Sequence, residues 1–399
     1  MTPRPLRVLL VATHPVQYGA PLFRALAKDA RLDIQVAYCD MGGAEERVDR
    51  DFGVAVKWDI PLLDGYRWVH LRNRSLRPGV GRFFGFFNPG VWRLISRGNF
   101  DAVVVYTGYV YATFWMALAA AKSKRVPIFF GTDAHELAPP DAKRWKIALK
   151  KWLWPRLFGL ADRVIVHSSG GAALMHSLGI ADERVALFPY CVDNDWWIEQ
   201  SRSVDRGAVR GRWKVPGDAI VVLFCAKLQP WKRPGDLLAA FARAAGPNAH
   251  LVFAGDGALR RELEAQAKAM GVAERVHFLG FVNQSGLPET YGAADVLVLP
   301  SSFEPFGVVV NEAMLCGCAV IVSDRVGARF DLVREGETGF VFPAGNVDAL
   351  AATLKRVLGD AVALRRMGRA ARERMASWSL ADYDRAFVET IAKAAPGAR

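Results

Sequence analysis

Two glutamates, Glu304 and Glu312, lie eight residues apart in Pro300-Ser-Ser-Phe-Glu-Pro-Phe-Gly-Val-Val-Val-Asn-Glu-Ala-Met314. The preceding Asp295-Val-Leu-Val-Leu-Pro300 reads as a buried strand that ends in proline. Gly307 to Cys316 reads as a helix, with Gly317 placed to stop it. Glu304 then sits on the loop at the helix N-terminus, and Glu312 about two turns in. The N–H groups of Phe306, Gly307 and Val308 at that N-terminus favour an anion such as phosphate. A carboxylate beside them only accepts hydrogen bonds, which suits sugar hydroxyls. Phosphate and polyhydroxyl in one pocket describe a nucleotide sugar.

A second constellation is Cys225-Ala-Lys-Leu-Gln-Pro-Trp-Lys232. Lys227 ends an apolar run and Lys232 lies near the start of the next helix. Both ammonium groups reach the C-terminal edge of a parallel sheet, where ligands of α/β folds bind. Two cations there would neutralise a departing nucleoside diphosphate. Gly255 and Gly257, in Phe253-Ala-Gly-Asp-Gly257, form a strand-to-helix turn, which any tight turn would also use.

The string around Glu304-Pro-Phe-Gly and Glu312, continued by Ala-Met-x-Cys-Gly-x-Ala-Val, resembles the Glu-x7-Glu signature of the retaining glycosyltransferases of family 4. That family has the GT-B fold, an α/β architecture of two Rossmann-like doubly wound domains facing each other across a cleft. The resemblance implies roles. Lys227 and Lys232 match the diphosphate clamp, although many members have Arg at the first position, and lysine keeps the charge while losing the bidentate fork. Gly255 and Gly257 match a turn facing the nucleotide. Phe281 and Val282, in Phe278-Leu-Gly-Phe-Val282, match a segment whose backbone reads the base. Glu312 would hold the ribose and Glu304 the sugar hydroxyls. The resemblance further implies retention of the anomeric configuration, a nucleoside-diphosphate sugar as donor, and neither cofactor nor catalytic metal.

On the acceptor side, Thr13-His-Pro-Val-Gln-Tyr-Gly19 resembles a His-Pro-x-Gln-Tyr loop found in part of the family, which points to His14, Gln17, Tyr18 and Gly19. For the catalytic side, the resemblance implies a polar residue that touches the reacting sugar: the family often has a histidine, near the donor sugar, just after the strand that here is Ile128–Gly131. Asp133 falls at that position and His135 two residues later; the sequence does not separate them. Asp193-Asn-Asp195 mimics a metal-binding motif, but Asp and Asn also favour helix caps and turns, which is the reading taken. Tyr190-Cys191 stands where relatives often have Asn-Gly.

The elements that must position these groups follow a βα rhythm. Arg7–Ala12, Leu32–Ala37, Ala102–Tyr106, Ile128–Gly131 and Val164–His167 read as strands, with a helix at Ala20–Ala27. A second rhythm runs through Ala219–Phe224, His250–Gly255, Arg275–Leu279, Asp295–Leu299 and Ala319–Ser323. The pattern implies parallel sheets covered on both faces. The expected division is an acceptor domain at 1–193, a connection at 194–217, a nucleotide-sugar domain at 218–375, and a helix at 376–399. Tyr383, Ala386, Phe387 and Ile391 have the spacing to dock that helix on the N-terminal domain or on the second. Little is legible between Cys39 and Phe100.

The 399 residues carry a formal charge of +12, which calls for acidic partners. Five cysteines at 39, 191, 225, 316 and 318 show no zinc spacing and read as packed thiols. The basic start Met1-Thr-Pro-Arg-Pro-Leu-Arg7 precedes an apolar run too short for a secretory signal. Ala102–Ala121 contains no charge and has the length of a span, yet reads better as a strand, a turn and a helix. Tyr66–Phe100 holds seven arginines and no acid, and Lys143–Phe158 reads as a helix. In that helix Trp145, Leu149, Trp152 and Leu153 share one face. Arg144, Lys146, Lys150 and Lys151 share the other, together with Ile147 and Trp154. Both tracts fit an anionic membrane surface or a domain-packing face.

The expected function is therefore transfer of a hexose-type sugar from a nucleotide sugar to a glycan or lipid-linked hydroxyl, in cell-surface polysaccharide or glycolipid synthesis. The expected location is cytoplasmic, peripheral on the inner face of the membrane, without nucleic-acid partners, since no such motif accompanies the charge. A catalytically silent relative that binds anionic lipid or polysaccharide is the alternative. A nicotinamide oxidoreductase lacks its Gly-x-Gly-x-x-Gly after the first strand.

Overall fold

A computed structural model describes residues 4–45, 47–49, 54–137 and 142–394. In chain order the strands are β1 (Leu6–Ala12), β2 (Leu32–Tyr38), β3 (Arg47–Asp49), β4 (Val54–Val56), β5 (Trp68–His70), β6 (Ala102–Val105), β7 (Ile128–Thr132), β8 (Arg163–Val166), β9 (Val185–Leu187), β10 (Ile220–Cys225), β11 (Ala249–Ala254), β12 (Val276–Gly280), β13 (Val296–Leu299), β14 (Ala319–Ser323) and β15 (Gly339–Phe342). The helices are α1 (Gly19–Lys28), α2 (Gly90–Arg97), α3 (Ala112–Ser123), α4 (Arg144–Phe158), α5 (Ser169–Ser177), α6 (Asn194–Arg202), α7 (Arg206–Arg212), α8 (Pro234–Ala244), α9 (Arg260–Ala269), α10 (Leu287–Ala293), α11 (Val309–Leu315), α12 (Val347–Leu358), α13 (Ala361–Arg374) and α14 (Leu380–Ala394).

The chain forms two units. The first comprises Met1–Arg47, Ile60–Tyr190 and Leu380–Arg399; the second comprises Val48–Asp59 and Cys191–Ser379. The first holds a seven-stranded sheet in the order β5-β2-β1-β6-β7-β8-β9. The second holds a six-stranded sheet in the order β12-β11-β10-β13-β14-β15, and β3 and β4 pair separately. Neighbouring strands of both large sheets run parallel. Helices cover both faces of such sheets, so their strands are continuous apolar runs. Ala-Val-Val-Val of β6 and Val-Leu-Val-Leu of β13 are buried at every residue.

In the first unit α14 closes the core. Tyr383, Phe387 and Ile391 are buried. The Tyr383 hydroxyl is 2.5 Å from that of Tyr106, and the Phe188 ring lies 5.2 Å from Tyr383 and 5.6 Å from Phe387. The Tyr66–Phe100 tract contains β5 at the sheet edge and α2. Its anchor is the fully buried Asn88, whose amide donates to the carbonyls of Cys39 (2.9 Å) and Leu71 (2.6 Å). All seven arginines of the tract are exposed. The uncharged stretch from Ala102 divides into β6, a turn and α3, and no helix among the described residues is long and apolar enough to cross a membrane.

Residues 194–217, expected as a connection, instead carry α6 and α7 and belong to the second unit. Each is capped by an aspartate: Asp193 accepts from the Trp196 N–H and Asp205 from the Ala208 N–H. The Asp193 contact matches the capping role read for Asp193-Asn-Asp195. Trp197 is buried 5.7 Å from the Tyr291 ring, and Arg210 is buried against Asp295 at 2.8 Å. Helices this short show little periodicity, which hid them.

Helix α4 packs inward with the face that also carries Lys150. Trp154, Leu157 and Phe158 are buried, while Trp145 (60 % exposed), Leu149 (47 %) and Trp152 (57 %) face solvent. Both faces carry apolar residues, and polar satisfaction decides between them. The Trp154 indole donates to the Tyr109 hydroxyl (3.1 Å), and Lys150 Nζ, 4.9 Å from the Trp154 ring centre, donates to the Leu137 carbonyl (2.6 Å). The five cysteines are buried and not bridged to one another.

Candidate functional site

At the C-terminal edge of the second sheet, two loops lock together. The Ala226 N–H donates to the Ala254 carbonyl (3.2 Å), and the Leu228 N–H donates to that of Asp256 (2.9 Å). Gly255 and Gly257 have φ of +150° and +151°. A Cβ on them would lie 2.0 Å from the Ala226 oxygen and 2.7 Å from the Leu228 oxygen. Glycine is needed here because one backbone passes directly against another. The turn thereby seats the half-buried Lys227, which lies between the two contacts.

Lys232 and Glu304 are 72 residues apart and form an ion pair, their side chains only 18 % and 15 % exposed. Glu304 is fixed through its backbone as well: its N–H donates to the Arg325 carbonyl and its carbonyl accepts from the Gly327 N–H, both at 3.0 Å. Two predicted site residues of opposite charge thus converge where β10 and β13 end. Helix α11 is shorter than expected, beginning at Val309, with Gly307 at φ +96° and Val308 at the cap. The buried Phe306 lies parallel to Trp378, 6.3 Å between ring centres.

Glu312 points inward. Its Oε2 is 2.8 Å from the Tyr291 hydroxyl, which is also 3.3 Å from Cys225 Sγ, and the Gln284 side chain bonds the same carboxyl. Burial pushes the Glu312 pKa up to about 7, against those two hydrogen bonds, which lower it. Phe281 and Val282 are half-buried after the end of β12. The Phe281 ring lies 6.3 Å from that of Trp58, which comes from the Val48–Asp59 segment.

In the first unit, His14 is exposed, Gln17 and Tyr18 are half-buried, and Gly19 opens α1 with its N–H on the Val16 carbonyl (3.1 Å). The Tyr18 ring lies 5.5 Å from Tyr190, which meets His167 edge-on at 5.2 Å. His167 Nδ1 is 2.9 Å from the Phe188 carbonyl. Burial lowers the His167 pKa, while the Phe188 contact and the charge of nearby Asp133 act in the opposite direction. The structure distinguishes the two residues that sequence left together: Asp133 is exposed, whereas His135 is buried with Nε2 3.5 Å from Glu136 Oε1.

Sequence reasoning missed Tyr291, Gln284, His167, Trp378 and Trp58. A tyrosine in a short helix or a tryptophan in a poorly patterned segment carries no spacing signal. Among the described residues, no three His, Cys, Asp or Glu side chains cluster as a metal site.

The sequence profile of the glycosyl transferases group 1 matches residues 205–374, and that of glycosyltransferase family 4 matches residues 22–196. D-inositol 3-phosphate glycosyltransferase of Geodermatophilus obscurus is 35 % identical over 257 residues, 59 % of this chain and 56 % of the relative. The enzyme of that name in Streptomyces bingchenggensis is 34 % identical over 226 residues, 53 % and 49 % of the two chains. The chain spans about half the length of the curated relatives it matches. Among solved structures, Anabaena HepE in complex with UDP and glucose is similar with a TM-score of 0.72 at 21 % identity, covering 97 % of this chain and 100 % of that one. Sucrose-phosphate synthase of Thermosynechococcus elongatus is similar with a TM-score of 0.71 at 22 % identity, covering 96 % and 98 %. At these identities the likeness is one of fold. With two parallel-sheet units and profile matches on both sides of Tyr190, the chain belongs to the family 4 glycosyltransferases of GT-B fold.

Proposed function

We propose that the protein is a retaining glycosyltransferase that moves a hexose-type sugar from a nucleoside-diphosphate sugar to a hydroxyl of a glycan or lipid-linked acceptor. The observation that carries this reading is the Lys232–Glu304 pair beside Lys227 at one sheet edge. A diphosphate reaching Lys232 competes with Glu304 for the ammonium. Glu304, once released, accepts hydrogen bonds from the sugar. Lys227 and Lys232 stabilise the negative charge that grows on the leaving diphosphate, the interaction that contributes most when preorganised. Attack comes from the face the leaving group departs, through an oxocarbenium-like state, with a departing phosphate oxygen taking the acceptor proton. No side chain need form a covalent intermediate, and the lysines supply the charge for which other transferases use a metal. Similar structures in complex with UDP and with UDP-glucose support a nucleotide-sugar donor.

Hydrolysis of UDP-, GDP- and ADP-sugars, with and without EDTA and with NMR assignment of the product anomer, tests the reading. One donor is expected to turn over with retention and in the presence of chelator. An inverted product, or full loss on chelation, contradicts the mechanism. No binding of any nucleoside diphosphate favours the catalytically silent alternative.

The proposed acceptor end is the first unit, at His14, Gln17, Tyr18 and Gly19, and the exposed Asp133 near His167 or the buried His135 is proposed to touch the reacting sugar. The same unit is proposed to rest on the cytoplasmic face of an anionic membrane, in polysaccharide or glycolipid synthesis. The support is the outward stripe of α4: Lys146 Nζ is 5.9 Å from the Trp145 ring centre and the Arg156 guanidinium is 4.5 Å from that of Trp152. Indole rings with cations over them suit the headgroup layer. Exposed Phe83, Phe84 and Trp92 accompany the seven arginines of the Tyr66–Phe100 tract. Cosedimentation with anionic and neutral vesicles at low and high salt tests this; equal binding to both overturns it.

A further inference from the structure

Residues Val48–Asp59 are flanked on both sides by residues of the first unit but form part of the second. They contribute the β3–β4 ribbon and then Lys57-Trp58-Asp59. This tripeptide is fastened at both ends. The Asn283 amide donates to the Lys57 carbonyl (2.7 Å), and the Ser285 N–H donates to Asp59 Oδ1 (3.1 Å) while the Ser285 hydroxyl bonds Oδ2. Between the fasteners Trp58 is half-buried, its ring at 60° to that of Phe281. The two rings enclose an angle and do not stack, and Trp58 keeps part of its surface exposed.

The strand order gives this place a meaning. Along the C-terminal edge, Glu304 follows β13, Lys227 follows β10, the Gly255–Gly257 turn follows β11 and Phe281 follows β12. The sugar-recognising carboxylate is therefore on one side of the diphosphate-neutralising lysine, and the ligand must extend the other way. β12 is two strands beyond β10, about 10 Å at the usual spacing. A nucleoside reaches that far past its diphosphate. Gln284, between Asn283 and Ser285, faces inward to Glu312, so the docked segment braces that carboxyl's partner as well.

We infer that Trp58 forms one wall of the nucleobase site and sets the affinity for the base, a role that rests on the nucleotide-sugar reading above. Lys57 and Asp59 position it through Asn283 and Ser285. Stacking on an indole tolerates any base, so Trp58 supplies affinity while backbone groups near Phe281 and Val282 supply selection.

Calorimetric titration of wild type, Trp58→Ala and Trp58→Phe with UDP, GDP, ADP and inorganic pyrophosphate tests the inference, with circular dichroism melting as the control for folding. Trp58→Ala is expected to weaken the preferred nucleoside diphosphate about ten- to hundredfold, the usual worth of one base–aromatic contact. Pyrophosphate binding should be unchanged, and Trp58→Phe should restore most of the affinity. Unchanged nucleoside diphosphate affinity in Trp58→Ala, or an equal loss for pyrophosphate, overturns the role of Trp58 alone. Wild type that binds none of the three nucleoside diphosphates overturns the nucleotide-sugar reading, and the inference with it.

Discussion

The C-terminal edge of the second sheet holds its ionisable groups in fixed contacts. Lys232 is on Glu304, Glu312 is on Tyr291 and Gln284, and the loop that carries Lys227 is laced to the Gly255–Gly257 turn. The corresponding edge of the first sheet carries His14 and Asp133 as solvent-exposed side chains. One edge holds its polar groups in packed, preformed contacts, which is what the proposed donor, a small charged ligand, would need. The other carries exposed side chains, which is where the proposed acceptor would be recognised.

The largest test of this contrast is on turnover. Lys232→Ala should lower transfer by about 10²–10³-fold, read as kcat with the preferred donor, while His14→Ala should spare donor hydrolysis and affect transfer to acceptor. Equal losses in both assays for both variants would erase the distinction. Next in size is backbone strain. Gly255→Ala forces a Cβ toward the Ala226 oxygen at positive φ and should destabilise the protein by about 1–3 kcal/mol. Gly19→Ala, at a helix start in the first unit, should stay within about 1 kcal/mol; urea unfolding compares them.

A smaller effect concerns pH. The Glu312 pKa is raised from 4.5 to about 7 by burial, so the stability linked to its neutral form is fully present below pH 4.5 and lost as pH rises through 7. Glu312→Gln should flatten this part of the melting profile and melt higher than wild type at pH 8. An unaltered profile would mean that the carboxyl is ionised throughout. The smallest change per residue lies on the exposed helix. Lys146→Glu with Lys151→Glu should weaken binding to anionic vesicles by about 1 kcal/mol per residue. Lys150 is left out because it supports Trp154 from within.

How much of this could be read beforehand follows the same division. The long buried strands β1, β10 and β13 stand out as apolar runs, and Glu304, Glu312, Lys227 and Lys232 as residue types at informative spacing. That Lys232 and Glu304 would meet was not legible, because their pairing depends on two loops closing over one sheet edge. β5 has three residues at an edge with a largely exposed surface, so no pattern marks it. The outward turn of α4 escaped because Trp154 and Trp152 are equally apolar, and only the reach to Tyr109 separates them. Trp58 is bound to its site through contacts that span 226 residues, such as Lys57 to Asn283, a separation at which local spacing carries no information.

The chain crosses between its two units four times, at 47/48, 59/60, 190/191 and 379/380. During synthesis, strands β1 to β9 emerge long before α14, yet Phe188 and Tyr106 stay without their lid until Tyr383 and Phe387 arrive. The first unit is thus the earlier to be made and the later to be completed. Cutting the gene after Tyr190 would give a fragment with an open apolar face, prone to associate with itself. Supplying α14 as a separate peptide should restore it.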